Sequence, residues 1–302
     1  MLRSKASKLA IGLRGGEGWR PSTSCRCWWQ VARGVVFWSL VAFSSASAQA
    51  DYINTRDGRP LVLEDGYALQ GGALDLYLAP VAISLAPSQA TRWVITPGLS
   101  LGILPRTEAG LEFPLRMERD GPKNRAGSSG VVFSALHGFN AETDRLPAFA
   151  LRVSTTIPAG KFEDHLRSSV RGIATRTLGA LRANLNVEYT FGDEESPPRA
   201  PTVAGFLQAN RWLAGVALDR GYAYRTFLVG LEGYARQPLD ASGRTLFTGR
   251  VALRKQLGPT LMLESSLGRQ LNGYDAGWTI AAGISRTISV AGLIPGWGKW
   301  GG

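Results

Sequence analysis

The most constraining feature of the chain is an alternation of apolar and polar residues between Thr260 and Ser289. Apolar side chains recur at a spacing of two or four residues on both sides of a polar loop at 271–275, at Leu261, Leu263, Leu267, Trp278, Ile280, Ala282 and Ile284. Successive side chains of a strand point to opposite faces, so this pattern predicts a β-hairpin with strands of about ten residues. Ten tilted strand residues span the hydrocarbon core of a membrane, and the pattern is typical of a transmembrane β-barrel.

Composition narrows the alternatives. The chain has 302 residues and a mean hydropathy of −0.04. Beyond the N-terminus it has no run of about 18 apolar residues, which excludes an α-helical membrane protein. A soluble β-sandwich would alternate in the same way and stays open as an alternative.

The first fifty residues predict a secretory signal with an extended basic N-terminus. Basic residues reach as far as Arg33, an apolar run covers residues 34–43, and small residues follow up to Ala50. Cleavage is expected after Ala48 or Ala50. A single membrane anchor is the alternative, but ten apolar residues are too few to span a bilayer.

Both cysteines of the chain, and much of its excess positive charge, lie in these first fifty residues. Cys25 and Cys27 both lie in it, so the mature chain is expected to contain no disulfide. The formal net charge is +11, but residues 1–50 hold seven Lys or Arg and one Glu, which leaves 27 basic and 22 acidic residues, or +5. These charges are scattered along an exported chain, so we expect no nucleic-acid partner.

Residues 73–289 divide into about twelve period-2 segments. The predicted segments are 73–85, 91–104, 107–117, 130–139, 147–157, 170–178, 181–191, 203–219, 223–236, 244–256, 260–270 and 277–289. An even number suits a bacterial barrel. The predicted fold class is therefore all-β, a closed antiparallel up-and-down transmembrane β-barrel of about 12 strands.

The predicted connections alternate in length. Those at 105–106, 141–145, 179–180, 220–222 and 258–259 are tight, and those at 118–129, 158–169, 192–202, 237–243 and 271–276 are longer and polar. In outer-membrane barrels the short turns face the periplasm and the longer loops face outward, an asymmetry that a sandwich does not predict. The connection at 86–90 is the exception, because it should be an outer loop and is short.

Two segments flank the predicted barrel. Residues 51–72 have no strand pattern and are expected to lie in the periplasm or to enter the lumen. Residues 290–302 run on past the last predicted strand, and their Gly and Pro content argues against another strand. We expect a C-terminal tail there.

Several motifs resemble one known family. They are RPLVLEDG at 59–66, GGALDL at 71–76, GLSLGILPRTEAGL at 98–111, PAFALRV at 147–153, IPAG at 157–160, LRANLNVEY at 181–189 and the strand at 228–237. In this order they are similar to the motifs of the outer-membrane family of meta-pathway phenol degradation proteins. The resemblance implies a barrel in the outer membrane of a Gram-negative bacterium and passage of hydrophobic small molecules.

If the apolar side chains face lipid, those of opposite parity line the lumen. The expected lumen-lining residues are Glu112, Arg116, Arg152, Arg182, Asn184, Asn186, Glu188, Glu232, Tyr234, Arg236, Arg250, Arg254 and Glu264. They could guide a solute as a selectivity lining. They could equally form an ion-pair network that fills a narrow barrel, since buried charges must be paired. The two interpretations are compatible.

An enzyme is the hypothesis from another class, because outer-membrane phospholipases are twelve-stranded barrels with Ser, His and Asn on the outer wall. His137 shares its face with Ala135 and Phe139, which provide no serine, although a serine on a neighbouring strand stays open. His165 lies among acids in a long loop, and residues 193–195 are acidic; both patterns are more often hydrated than metal-binding. We therefore predict no catalysis, no cofactor and no metal.

The predicted function is an outer-membrane channel for small, hydrophobic or aromatic solutes. Its expected partners are outer-membrane lipid, the small-molecule solute and the barrel assembly machinery. A lipid-modifying barrel enzyme and a structural barrel whose outer loops bind a partner are the alternatives.

Overall fold

The computed structural model describes residues 53–290 except 86–90, 121–122, 161, 163–164, 193–209, 223–225, 240–242 and 274–275. The predicted signal at 1–50, the tail at 291–302, the short connection at 86–90 and the acidic residues 193–195 lie outside the described residues. Within the described part of the chain, no helix is long and apolar enough to cross a membrane.

The described residues form one antiparallel sheet of fourteen strands. The strands are β1 (Ala73–Leu85), β2 (Thr91–Leu104), β3 (Thr107–Glu112), β4 (Leu115–Asp120), β5 (Lys123–Ser128), β6 (Val131–Gly138), β7 (Ala148–Ile157), β8 (Arg167–Leu178), β9 (Leu181–Phe191), β10 (Asn210–Tyr222), β11 (Phe227–Pro238), β12 (Leu246–Gly258), β13 (Leu261–Gln270) and β14 (Trp278–Ser289). Most sequential strands pair in hairpins, but β3 pairs with β2 and β6, and β4 with β2 and β5. β1 pairs with β14 and closes the barrel.

Four of the fourteen strands form two longer strands that are each interrupted once, β3 with β4 and β5 with β6. β2 pairs first with β3 and then with β4, with Phe113 and Pro114 between them. β5 and β6 continue each other in the same way across Ser129 and Gly130. Proline cannot donate to the ladder, which accounts for the break at Pro114. Counting each pair once gives a closed barrel of twelve strands, and the predicted fold class is confirmed.

Three predicted boundaries were wrong. Residues 118–129 were expected to be an outer loop, but β4 and β5 pair from Leu115↔Ser128 to Asp120↔Lys123 and extend the hairpin. The connection predicted as a tight turn at 141–145 runs from residue 139 to 147. The turn predicted at 220–222 is instead the end of β10, where Tyr222 stacks on Phe227 with ring centroids 4.6 Å apart.

The outer wall of the barrel is apolar. Large side chains at every second position of the strands are about half exposed, among them Leu185 at 49%, Leu231 at 54%, Val251 at 47% and Ile280 at 49%. A continuous belt of this kind on a closed sheet is the lipid-facing surface of a membrane barrel. Lipid contact removes this surface from water and stabilises the wall.

The inner face of the wall is polar and closely packed. Arg152, Arg182, Glu232, Arg250 and Glu264 are all at most 8% exposed. Charges this deeply buried need partners. Most of those partners lie on neighbouring strands or on the segment that precedes β1.

Residues 53–72, here called the plug segment, lie inside the barrel. They contact inward side chains from β1, β3, β7, β8, β9, β11 and β12. The segment leaves the lumen where the N–H of Gly72 donates to the carbonyl of Gly102 (2.8 Å), next to the turn at 105–106. This mouth, here called the turn end, carries the connections near 105, 179 and 259; the opposite mouth is the loop end.

Candidate functional site in the barrel lumen

The apolar centre of the plug segment is formed by Leu61 and Leu63, both 0% exposed. They pack against inward side chains of β10, β11 and β12, namely Leu213, Ala217, Tyr234 and Ala252. Gly230 permits the close approach, because a Cβ there would lie 2.8 Å from Cδ1 of Leu61. The lumen therefore has a dry core in its middle.

Glu232 holds the backbone of the plug segment at the same level. Its carboxylate accepts hydrogen bonds from the N–H groups of Val62 and Leu63, each with a contact of 2.9 Å. It also pairs with Arg250, whose Nε lies 3.0 Å away. A wall carboxylate thus satisfies two plug N–H groups that have no strand partner.

Glu64 is the main ionic anchor of the plug segment. Arg152 donates to both of its oxygens from Nε, at 2.7 and 2.9 Å, and Arg171 approaches one of them at 3.3 Å. Arg171 also pairs with Glu188 at 2.6 Å. Arg152 lies 3.3 Å from Glu108, which accepts a hydrogen bond from the N–H of Leu69. Wall and plug share one buried ion-pair network.

Arg182 and Asp65 fix the first residues of the plug segment close to the turn end of the barrel. Arg182 lies 3.1 Å from Asp65 and 3.1 Å from Asp219 on β10, and it also contacts the carbonyl of Ile53. Asp65 accepts the N–H of Thr55 at 2.7 Å and so ties the start of the segment to its return.

Arginines of the plug segment complete the contacts. Arg56 pairs with Glu108, and Arg59 pairs with Asp75 at 2.8 Å. The guanidinium of Arg59 also lies over the ring of Tyr77, 3.6 Å from its centroid. Ion pairs to the wall therefore hold the plug segment at Arg56 and Arg59 as well as at Glu64 and Asp65.

The structure divides the predicted lumen residues into three groups. In direct contact with the plug segment are Arg152, Arg182, Asn186, Glu232, Tyr234 and Arg254. Paired with wall residues of that network are Asn184, Glu188, Arg250 and Glu264. The third group has other partners: Glu112 accepts from Tyr77, whose ring lies under the guanidinium of Arg59, and Arg116 and Arg236 lie toward the loop end. Their part in a solute path stays a prediction.

Sequence reasoning missed several members of the network. They are Asp75, Glu108, Arg171, Thr175 and Asp219. Glu108 lies in the predicted segment 107–117 with the same parity as Glu112, so the alternation could have found it. Arg171 and Thr175 were hidden because Ile173 shares their inward face and is 3% exposed. With an apolar residue among them, no inward face was predicted for β8.

A second, smaller cluster of paired charges lies toward the loop end. Glu118 accepts from Arg92 at 2.9 Å and pairs with Arg116. The ring of Phe162 lies 5.0 Å from the guanidinium of Arg116 and 5.2 Å from that of Arg125. The connection between β7 and β8 therefore folds against the β4–β5 hairpin.

A cleft of ≈ 320 Å³ opens at the turn end, where the plug segment leaves the barrel. It lies between residues 66–72, the β2–β3 turn and the end of β6, with Leu69, Ile103 and Leu104 among its apolar walls. Tyr67 donates to Glu142 beside it at 3.2 Å. Burial, together with the negative charge of Glu142, raises the pKa of Tyr67 to about 12, so its hydroxyl stays a donor.

The surroundings of His137 bear on the enzyme hypothesis. The residues directly opposite it on the two neighbouring strands are Thr107 and Leu151. Oγ1 of Thr107 lies 2.8 Å from Nδ1 of His137. Neither paired position holds the serine that a lipase-type nucleophile requires.

We expect purified protein to release no fatty acid from phospholipid vesicles, because a threonine and a leucine flank His137. The measurement is free fatty acid release by wild type and by His137→Ala over several hours. Hydrolysis that wild type performs and His137→Ala loses would contradict this expectation.

The sequence matches no family model and no curated protein. Among solved structures, the chain is similar to an outer membrane channel from Pseudomonas putida F1, with 15% identity and a TM-score of 0.51 over 74% of this chain and 98% of that chain. It is also similar to the KdgM porin in complex with disordered oligogalacturonate, with 12% identity and a TM-score of 0.44 over 71% and 98%.

A third similar structure is the CymD monoaromatic hydrocarbon channel, with 8% identity and a TM-score of 0.38 over 73% of this chain and 89% of that chain. The likeness to the Pseudomonas putida protein shows that this chain has the fold of an outer-membrane barrel. The family that the sequence motifs resemble stays a prediction.

Proposed function

We propose that this chain is an outer-membrane channel for small, hydrophobic or aromatic solutes, and that the plug segment keeps it closed at rest. The observation that carries the proposal is the polar lumen of a membrane barrel, occupied by a separate segment held through ion pairs to the wall. A barrel with a purely structural role could pack its lumen with side chains of its own strands. A separate segment that can be displaced suits a gated path.

The solute class rests on two observations. The motifs of residues 59–66 and 147–160 resemble a family whose implied role is passage of hydrophobic small molecules. The cleft at the turn end has a volume near the lower limit of small-molecule sites and apolar walls at Leu69, Ile103 and Leu104. A small ring fits such a volume better than a sugar chain does.

The proposal includes export and assembly. Residues 1–50 are proposed to be a signal that is removed, with delivery of the mature chain by the barrel assembly machinery to the outer membrane of a Gram-negative bacterium. The apolar belt at Leu185, Leu231 and Ile280 then contacts outer-membrane lipid. No cofactor and no metal take part in passive transport.

The test uses asymmetric vesicles with a lipopolysaccharide outer leaflet, which small aromatic molecules cross slowly. We expect the reconstituted protein to speed the entry of radiolabelled phenol above protein-free vesicles, while glucose enters at the protein-free rate. Ion conductance in planar bilayers should be low, because the plug segment fills the lumen.

Equal rates with and without protein, for phenol and glucose alike, would contradict the transport proposal. That outcome, combined with no lipid hydrolysis, would favour a structural barrel whose outer loops bind a partner.

A further inference from the structure

A row of outward side chains crosses five strands beside the loop end, and we call it the rim row. Its members lie opposite one another in register on β13, β14, β1, β2 and β4, and they are Arg269, Trp278, Leu85, Thr91 and Arg119. Arg269, Trp278 and Arg119 are exposed on the outer wall. The rim row therefore places two guanidinium groups and an indole ring on one face of the barrel.

The neighbouring row shows at which level of the membrane the rim row lies. Two residues farther from the loop end on each strand, the outward side chains are all apolar, namely Leu267, Ile280, Ile83, Trp93 and Met117. The wall thus changes from apolar to cationic within two strand residues, about 7 Å. Such a change, with tryptophan on both rows, is typical of the boundary between hydrocarbon and headgroups. The rim row therefore lies at headgroup level.

The two arginines of the rim row have no acidic neighbour on the outer wall. The residues directly opposite them on the flanking strands are uncharged: Gly249 and Trp278 for Arg269, and Thr91 and Asn124 for Arg119. Among the residues that the structure describes, no carboxylate pairs with either guanidinium. In the lumen, by contrast, Arg152 and Arg254 each pair with a glutamate. A cation at the edge of hydrocarbon is stabilised by an anion, so here the anion has to come from outside the chain.

Arg269 is positioned to receive such an anion. Its guanidinium lies 5.1 Å from the ring centroid of Trp278, which is a cation–π contact. On its other side, Gly249 has no side chain, and a Cβ there would have as its nearest neighbour the carbonyl oxygen of Glu232, at 4.0 Å. The outer wall is therefore open beside the guanidinium, and a headgroup can reach its N–H groups.

Charge and position together indicate which lipid binds. The planar N–H fork of arginine matches phosphate. The loop end carries the longer connections, which face the exterior in outer-membrane barrels, and the lipid of that leaflet is lipopolysaccharide, whose lipid A carries phosphates on its sugars. Arg119 and Arg269 are four inter-strand spacings apart, roughly 19 Å along the wall, so they reach separate phosphates.

We propose that the rim row is a binding site for lipopolysaccharide, which it holds through the phosphates of lipid A. Arg119 and Arg269 each bind one phosphate, and Trp278 and Leu85 contact the sugars and the first carbons of the acyl chains. Lipid bound in this way covers the pairing of β1 with β14 that closes the barrel. This inference does not depend on the proposed transport function.

The test measures binding of purified lipid A to the protein in detergent by native mass spectrometry. The variant is the double substitution Arg119→Gln and Arg269→Gln. Arg220→Gln is the matched control, because Arg220 is also an exposed outward arginine beside an aromatic ring, 4.9 Å from the centroid of Tyr222, but lies at the turn end. Loss of a charge-assisted contact weakens binding about tenfold or more, so the double variant should lose at least this factor while Arg220→Gln keeps the wild-type affinity.

A second measurement uses the unaltered protein, so the test does not depend on folding of a variant. Enzymatic removal of the phosphates from lipid A should weaken its binding by a similar factor, and equimolar phosphatidylglycerol should not displace intact lipid A. Equal binding of intact and dephosphorylated lipid A overturns the proposal, and so does displacement by phosphatidylglycerol. Wild-type affinity in a folded double variant, or an equal loss in Arg220→Gln, overturns it as well, because the rim row would then not be the site.

Discussion

Replacing Glu64 with glutamine is expected to open the channel. The change removes the carboxylate that pairs with Arg152 and Arg171 and leaves two buried guanidinium groups without it. Removing one partner of a buried pair costs about 3–5 kcal/mol, and the docked plug segment bears this cost more than the wall does. Single-channel conductance should rise, and trypsin should cut after Arg56, which is 6% exposed in the docked segment.

Glu118→Gln is the matched control for this prediction. Glu118 is also a lumenal carboxylate that pairs with two arginines, Arg92 and Arg116, but those three side chains belong to the wall. Its loss should leave Arg56 protected from trypsin. Wild-type conductance and full trypsin resistance in a folded Glu64→Gln protein would show that Glu64 does not anchor the plug segment.

Replacing Leu253 with arginine is expected to destabilise the barrel strongly. Leu253 is exposed on the outer face near the middle of β12, where the side chain meets hydrocarbon. Arginine at the bilayer midplane costs about 2–4 kcal/mol, falling to about 0–1 kcal/mol near the interface. The free energy of unfolding in urea, measured in phospholipid vesicles, should fall by the larger amount.

Leu257→Arg gives the depth control on the same strand. Leu257 is 55% exposed and lies one residue from the end of β12 at the turn end. The smaller cost is expected there because the guanidinium reaches the headgroups. Equal losses at the two positions would mean that depth in the membrane does not determine the cost on this strand.

The strand pattern was predictable because it depends on neighbours in sequence. Leu261, Leu263 and Ile280 alternate with polar residues, and the hairpin follows from that alternation alone. The alternation predicted the strand β8 but not its inward residues, among which Ile173 is 3% exposed. Period-2 reasoning assumes a polar lumen, but this lumen contains an apolar segment, so an inward isoleucine is stable there.

The extension of the β4–β5 hairpin was missed for a different reason. Glu118, Arg119 and Asp120 have the composition of a loop. Outward Leu115 and Met117 nevertheless alternate with inward Arg116 and Glu118 past the interruption at Pro114. Glu118 belongs to a strand because the inner face pairs it with Arg92 and Arg116.

The course of the plug segment could not be derived from local sequence. It has no periodicity, and its anchors join residues that are far apart in the chain: Glu64 and Arg152 are 88 residues apart, and Val62 and Glu232 are 170 apart. Which distant charges meet depends on the closed barrel. The sequence therefore left both the periplasm and the lumen open for residues 51–72.

The plug segment enters and leaves the barrel by the same mouth. Arg182, next to the turn at 179–180, holds its first described residues, and Gly102, next to the turn at 105–106, holds its last. Such a loop can withdraw without threading through the barrel, and its covalent link to β1 keeps it nearby. A tether this short maintains an effective concentration on the order of millimolar, so the segment can re-seat after each opening without help from another protein.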